Sequence, residues 1–190
     1  MRCFVAIPLP ADTREALLSA CNAVRAADRN WRGEKWVAPE NLHITVAFLG
    51  EVPAQQIDIL AEKIGREFTH MRKFDLPFAR LHAAPDARRA RMLWASYDDP
   101  EGMGAVLAAA VGDAVTPLAI ALEERAFWAH VTLVRARRPR PLSEHASEVL
   151  TRAARDVPAF VSVPSATLLS STLTKAGPRY EPLCTWRFSA

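Results

Sequence analysis

Two short stretches of this 190-residue chain carry the same arrangement of side chains, His43-Ile44-Thr45-Val46 and His130-Val131-Thr132-Leu133. Their β-branched and aliphatic residues favour extended backbone, in which side chains alternate between faces with a period of two. Each histidine therefore shares a face with its own threonine, and Ile44, Val46, Val131 and Leu133 point the other way. Histidine, with an ordinary pKa of about 6.5, lets one copy accept a proton while another donates one near neutral pH. Threonine hydroxyls can donate to the non-bridging oxygens of a phosphodiester. Facing one cleft, two imidazoles and two hydroxyls make a set for displacement at phosphorus without a metal: a base for water, an acid for the leaving oxygen, and donors for the charge between them. One His-x-Thr on a strand is usually structural, so it is the pair that points to chemistry.

The elements around both motifs repeat. Residues 4–7 read as a strand, and Asp12 with Glu15 resembles a capping box opening a helix whose apolar stripe is Leu17, Ala20, Cys21 and Val24. Extended segments at 36–37 and 42–48 follow, with a break at 49–53, and then a helix burying Ile57, Leu60, Ile64 and Phe68. The second half starts over: extended chain at 73–83, a polar turn at 85–89, a strand at 92–97, and a helix from about Pro100 with Met103, Val106, Leu107, Ala110 and Val111 on one face. A strand at 127–135, a helix at 143–154 and extended segments at 160–163, 166–174 and 180–188 complete it. Arg2 to His43 spans 41 residues and Arg91 to His130 spans 39, so strand, helix and histidine strand recur at nearly one spacing. No Gly/Ser-rich linker separates the copies, which predicts two lobes of one domain, residues 1–190, sharing a cleft.

Composition narrows the class without deciding it. Half the residues are hydrophobic, enough for a sizeable core in one globular unit. Pro8 and Pro10 cut the N-terminal apolar run well short of a signal core or a membrane span, so the expectation is a cytoplasmic protein with no membrane association. Cys3, Cys21 and Cys184 form no Cys-x-x-Cys and cannot all pair internally, which argues against a disulfide framework. The net charge of +3 is modest, but lysine occurs only at 35, 63, 73 and 175 and the remaining cations are arginines, the better partners for phosphate. Arg135, Arg137, Arg138 and Arg140 form a run after the second motif and suggest a basic rim. His70, His82 and His145 share no ligand spacing and read as surface or locally satisfied groups. There is no Gly-rich loop ending in Gly-Lys-Ser/Thr. Neither metal nor cofactor is expected.

The chain resembles, nearly end to end, the RNA 2′,3′-cyclic phosphodiesterases, also called 2′-5′ RNA ligases, of the two-histidine (2H) phosphoesterase superfamily. The likeness lies in residues 1–7, in Trp36-Val37, in residues 41–52 around His43, in residues 127–135 around His130, and in Ser171-Thr172-Leu173, Gly177, Tyr180, Leu183 and Trp186. Ala129 departs from the pattern, since a proline commonly precedes the second histidine. The resemblance implies an α+β fold of two pseudo-symmetric lobes of antiparallel sheet, with outer helices, around a central cleft. It also implies hydrolysis of a terminal RNA 2′,3′-cyclic phosphate to a 2′-phosphomonoester, with reversible ATP-independent 2′-5′ joining as a side activity.

The expected substrate is RNA ending in a cyclic phosphate, tRNA fragments among the candidates, acted on by a monomer without a protein partner. His43 is the expected proton donor and His130 the acceptor, an assignment that comes from the resemblance because the repeat makes the two interchangeable. Thr45 and Thr132 would bind phosphate. Arg135 matches a family arginine, yet strict alternation puts it on the face opposite His130, so it reaches phosphate only if the strand twists or ends. Tyr180 is a candidate substrate contact or a buried sheet tyrosine, and Trp36, Phe48 and Phe127 are candidate base-stacking residues better suited to the core. Two other readings stand beside this one: the same machinery acting on small cyclic nucleotides, ADP-ribose cyclic phosphate or 2′-5′ oligonucleotides, and a module that only binds RNA ends. Intact motifs in both copies favour an enzyme.

Overall fold

The computed structural model of the protein describes residues 1–190 except 121, 123–125 and 176. In chain order its elements are β1 (Arg2–Pro8), α1 (Ala11–Ala27), α2 (Arg29–Arg32), β2 (Lys35–Trp36), β3 (His43–Glu51), α3 (Ile57–Glu67), β4 (Phe74–Ala84), β5 (Ala90–Tyr97), α4 (Met103–Val115), β6 (His130–Arg140), α5 (Glu144–Ala153), β7 (Phe160–Val163), β8 (Ser165–Thr174) and β9 (Gly177–Arg187). Eight strands form one path, β7-β4-β5-β6-β3-β1-β8-β9, and β2 adds to β6. All the pairings between these strands are antiparallel.

The path has two halves of four strands, β3-β1-β8-β9 and β6-β5-β4-β7, joined where Ile44 of β3 opposes Val131 of β6. Each half pairs an opening strand with a histidine strand, β1 with β3 and β5 with β6, as the repeat predicts. The second half is built from the consecutive strands β4 to β7, with β2 added to β6, whereas the first is split: β8, which follows β6 and α5, returns to pair with β1, and β9 follows it. The first lobe is thus not a contiguous stretch of sequence, and the lobes share one curled sheet.

Helices pack in pairs, α1 with α5 and α3 with α4, against the apolar face. α1 buries Leu17, Ala20, Cys21 and Val24, the expected stripe. The expected capping box does not form: the helix begins at Ala11 behind Pro10, and the Asp12 carboxylate accepts from the Thr13 N–H at 2.6 Å. With the start moved forward, Asp12 lies in the first turn, where a negative charge still suits the helix dipole. α4 buries Gly104, Leu107, Val111, Ala114 and Val115 but exposes Val106, so its stripe is rotated from the one expected. α5 does start as read, with Ser143 Oγ accepting from the Ala146 N–H. Asp28, buried between the halves of this layer, accepts from Asn30 N–H and Ser143 N–H and ties α1 to α5.

Two boundaries differ from expectation. β3 does not stop at Phe48; Leu49 is the extra residue of a bulge between the Cys3–Gly50 and Phe4–Phe48 pairs, Gly50 takes φ +64°, and the strand continues to Glu51. β6 begins at His130 rather than at 127 and runs to Arg140. The run of arginines is therefore part of a strand, and Arg140 is not a rim residue. Its guanidinium is held 2.6 Å from buried Glu34, whose other oxygen accepts from the Arg137 N–H. Among the described residues no helix is long and apolar enough to cross a membrane.

Candidate active site

Along β3 and β6 burial alternates as the pattern of residue types requires. Ile44, Val46, Val131 and Leu133 are buried in the core, whereas His43, Thr45, His130 and Thr132 are half-buried on the opposite face. The Ile44–Val131 pair lies at the centre of the site. Its antiparallel register sets His43 against Thr132 on one side and Thr45 against His130 on the other, an arrangement with local two-fold symmetry.

Each imidazole is fixed in the same way. His43 Nδ1–H donates to the Asn41 carbonyl at 2.7 Å, and His130 Nδ1–H donates to the Trp128 carbonyl at 2.9 Å. A carbonyl can only accept, so Nδ1 carries the proton in both rings and Nε2 is the nitrogen left for chemistry. His43 Nε2 lies 3.0 Å from Thr45 Oγ1. Burial lowers both pKa values from the ordinary histidine range. At His43 the Asn41 carbonyl works against burial and the charge of His130 works with it. At His130 the Trp128 carbonyl opposes burial and the Arg135 charge adds to it. The mutual repulsion favours one proton on the pair over two.

The structure resolves where Arg135 points. Ser96, Trp94 and Met92 of β5 oppose His130, Thr132 and Arg135 of β6, so two strides on β5 match two and then three residues on β6. The extra residue is Leu133, a β-bulge, and its carbonyl accepts from the Val37 N–H at 2.9 Å. One inserted residue reverses the alternation, so Arg135 lies on the face of His130 and Thr132 rather than opposite. β3 carries the matching bulge at Val46, between Thr45 and Ala47, and this puts Phe48 on the cleft face. Phe48 and Arg135 each stand five residues after their histidine, so the two-fold places a phenyl ring at one end and a guanidinium at the other. Arg135 is exposed, and its charge acts on both His130 and Tyr180.

The walls differ as well. On the first half, Phe4 lies 5.0 Å from the His43 ring, Tyr180 presents an edge to it at 5.5 Å, and Phe4 also meets Phe48 at 6.0 Å. Asn41 is held there by a hydrogen bond from its Nδ2 to the Pro178 carbonyl. On the second half, Trp128 stacks on His130 with ring centres 4.9 Å apart and planes 28° apart, and Trp94 lies 4.9 Å from His130 and 4.8 Å from Trp128. His82 packs beside both tryptophans and hydrogen-bonds through Nε2 to Ser96 Oγ at 2.7 Å.

Of the residues singled out from sequence, His43, His130, Thr45, Thr132, Arg135 and Tyr180 converge on one cleft. Trp36 and Phe127 pack against the core, but Phe48 does not; it is 51% exposed beside Phe4. His82 is locally satisfied, as read, yet lies on the cleft face rather than away from it. Trp94, Trp128 and Phe4 were missed because an aromatic residue in a strand reads as core until the partner strands are known. Ala129, in the place of the usual proline, is buried and its carbonyl accepts from the Tyr97 N–H, so the segment before His130 is held without the ring.

Residues 7–94 match the family model described as LigT like Phosphoesterase. The chain is 29% identical over 183 residues to the RNA 2′,3′-cyclic phosphodiesterase of Archaeoglobus fulgidus, covering 96% of this chain and 98% of that one. It is 33% identical over 152 residues to the protein of that name from Aeropyrum pernix, covering 78% and 83% of the two. Its fold is similar to the crystal structure of Escherichia coli LigT, with a TM-score of 0.70 and 27% identity over 100% of this chain and 98% of that one. LigT has also been crystallised with phosphate and with 3′-AMP.

Proposed function

Because this chain belongs to the family of RNA 2′,3′-cyclic phosphodiesterases, we propose that it is an enzyme that opens a 2′,3′-cyclic phosphate at the end of an RNA and leaves a 2′-phosphomonoester. The observation that carries this reading is the pair of imidazoles, each with Nδ1 tied to the carbonyl two residues before it, so that two Nε2 atoms face one cleft between two threonine hydroxyls. In-line displacement needs a proton acceptor and a proton donor on opposite sides of phosphorus, and a local two-fold supplies that. His130 takes a proton from the attacking water. As the P–O3′ bond breaks, His43 gives its proton to O3′. Thr45, Thr132 and Arg135 donate to the non-bridging oxygens, whose charge is greatest in the transition state. Tyr180 holds the His43 ring edge-on and lines the substrate cleft. After one turnover the proton sits on His130, and exchange with solvent restores the starting state.

Residues 1–190 act as one catalytic unit in this scheme, since each lobe contributes one histidine, one threonine and one of the residues that flank them. LigT complexes with phosphate and 3′-AMP support a cleft that takes a nucleotide. With the 5′-hydroxyl of a second RNA in place of water, the same groups give ATP-independent 2′-5′ joining: His130 takes the hydroxyl proton, the O5′–P bond forms, and O3′ leaves with a proton from His43. The test is turnover of a short RNA ending in 2′,3′-cyclic phosphate, in EDTA, with the product identified by phosphorus NMR against authentic 2′- and 3′-monophosphates. A 2′-phosphate formed in chelator is expected. A 3′-phosphate would reverse the substrate in the cleft, and activity lost in EDTA and restored by zinc or manganese would end the metal-free scheme.

A further inference from the structure

The two-fold equates Asn41 with Trp128, each two residues before its histidine and each supplying the carbonyl that holds Nδ1. Their side chains have opposite fates. Asn41 is tied to the Pro178 carbonyl. Trp128 stays 42% exposed at the cleft, stacked on His130 and buttressed by Trp94 and His82. The exposed indole is held in place by three neighbouring rings, His130, Trp94 and His82, and a flat aromatic ligand would cover it.

We propose that Trp128 is the stacking platform for the nucleobase of the terminal, cyclic-phosphate-bearing nucleotide, and so fixes which way the ribose lies between the two histidines. This rests on the reaction proposed above. Ribose geometry makes the link. C1′, which bears the base, adjoins C2′ and O2′, whereas C4′ and the upstream chain adjoin C3′ and O3′. With His43 protonating O3′, the C3′–C4′ side faces the first half, and the C2′–C1′ side with its base faces the second. That is the side on which Trp128 lies beside His130. Phe48 offers the competing platform on the first half, also exposed. A base placed there would bring O3′ toward His130 and exchange the acid and base for the same 2′-phosphate product. Choosing the wall therefore chooses the acid.

The experiment compares kcat/KM for short RNAs identical except at the cyclic-phosphate residue, which carries adenine, uracil or no base. Trp128→Ala will loosen His130 for every substrate, so the readout is the ratio of base-bearing to abasic substrate. In the wild-type protein the ratio should be roughly 5- to 150-fold, the usual worth of one base–aromatic stack, with adenine above uracil. Trp128→Ala should bring it close to one, Trp128→Phe should keep part of it, and Phe48→Ala should leave it standing. Should Trp128→Ala fail to fold, the partial ratio in Trp128→Phe decides the matter. Equal losses on all three substrates, or no base dependence in the wild type, would overturn the platform. A ratio that collapses in Phe48→Ala instead would overturn it and assign the acid to His130. No turnover of any cyclic-phosphate RNA would be a failure of the proposed function itself, and the platform would fall with it.

Discussion

The most demanding consequence of the site is its pH dependence, because the proposed reaction needs one proton on the histidine pair. Both pKa values are lowered by burial, and each ring has a cationic neighbour pushing the same way, His130 for His43 and Arg135 for His130. The maximum of kcat/KM, which reports the free enzyme, should therefore lie below the ordinary histidine value of about 6.5. On each limb the active state falls by about tenfold per pH unit, as one proton is lost or a second gained, so at least about tenfold should disappear between pH 6.5 and 8. The two apparent values belong to the pair, so the profile carries a further test in Arg135→Gln. Removing that charge relieves His130, raises its proton affinity and should move the whole bell to higher pH, whichever histidine is the acid. Its height will drop too, since a lost charged hydrogen bond to phosphate costs about 1.5–3 kcal/mol, or roughly 10- to 150-fold in kcat/KM. The shape, not the height, is diagnostic. A wild-type maximum above pH 7.5, or an acid-ward shift in Arg135→Gln, would refute the electrostatic reasoning. Stability should follow the same groups. A histidine with a depressed folded pKa binds more protons unfolded than folded, so its contribution is full above about pH 6.5 and is lost as pH falls from there through the lowered folded value. Thermal melts between pH 7 and 5 read that loss directly.

His43→Ala and His130→Ala should each lower turnover by roughly 10²- to 10⁴-fold in a folded protein, and steady-state kinetics with circular dichroism would show it. Thr45→Val and Thr132→Val should cost less, about 1–3 kcal/mol in kcat/KM, with Thr45→Val also freeing the His43 ring from its 3.0 Å contact. Gly104→Ala should destabilise the protein, measurable as a lower urea midpoint. A Cβ at that buried position would sit 2.2 Å from the Phe127 ring, so Phe127 must move, and with it the segment that carries Trp128 into His130.

Some of this protein could be read without a structure because the relevant physics is local. A strand's side chains alternate whatever its neighbours do, so His43 and Thr45, and His130 and Thr132, had to share faces, and Ile44 and Val131 had to turn inward. Helix faces such as Leu17, Ala20, Cys21 and Val24 follow from 3.6 residues per turn in the same way. The repeat of strand, helix and histidine strand gave the two lobes. What the sequence could not supply is register between distant strands. Strict alternation puts Arg135 on the face opposite His130; the bulge at Leu133 brings it back to that face, and the bulge exists only in the pairing of β6 with β5. Phe48 owes its exposure to the equivalent bulge against β1. The return of β8 to pair with β1, the joining of both halves at Ile44 and Val131, and the placing of Trp94 and His82 against Trp128 and His130 are likewise contacts between residues far apart in the chain. Local preference is silent on such contacts, and only the folded sheet decides which side chains face the cleft and which face the core.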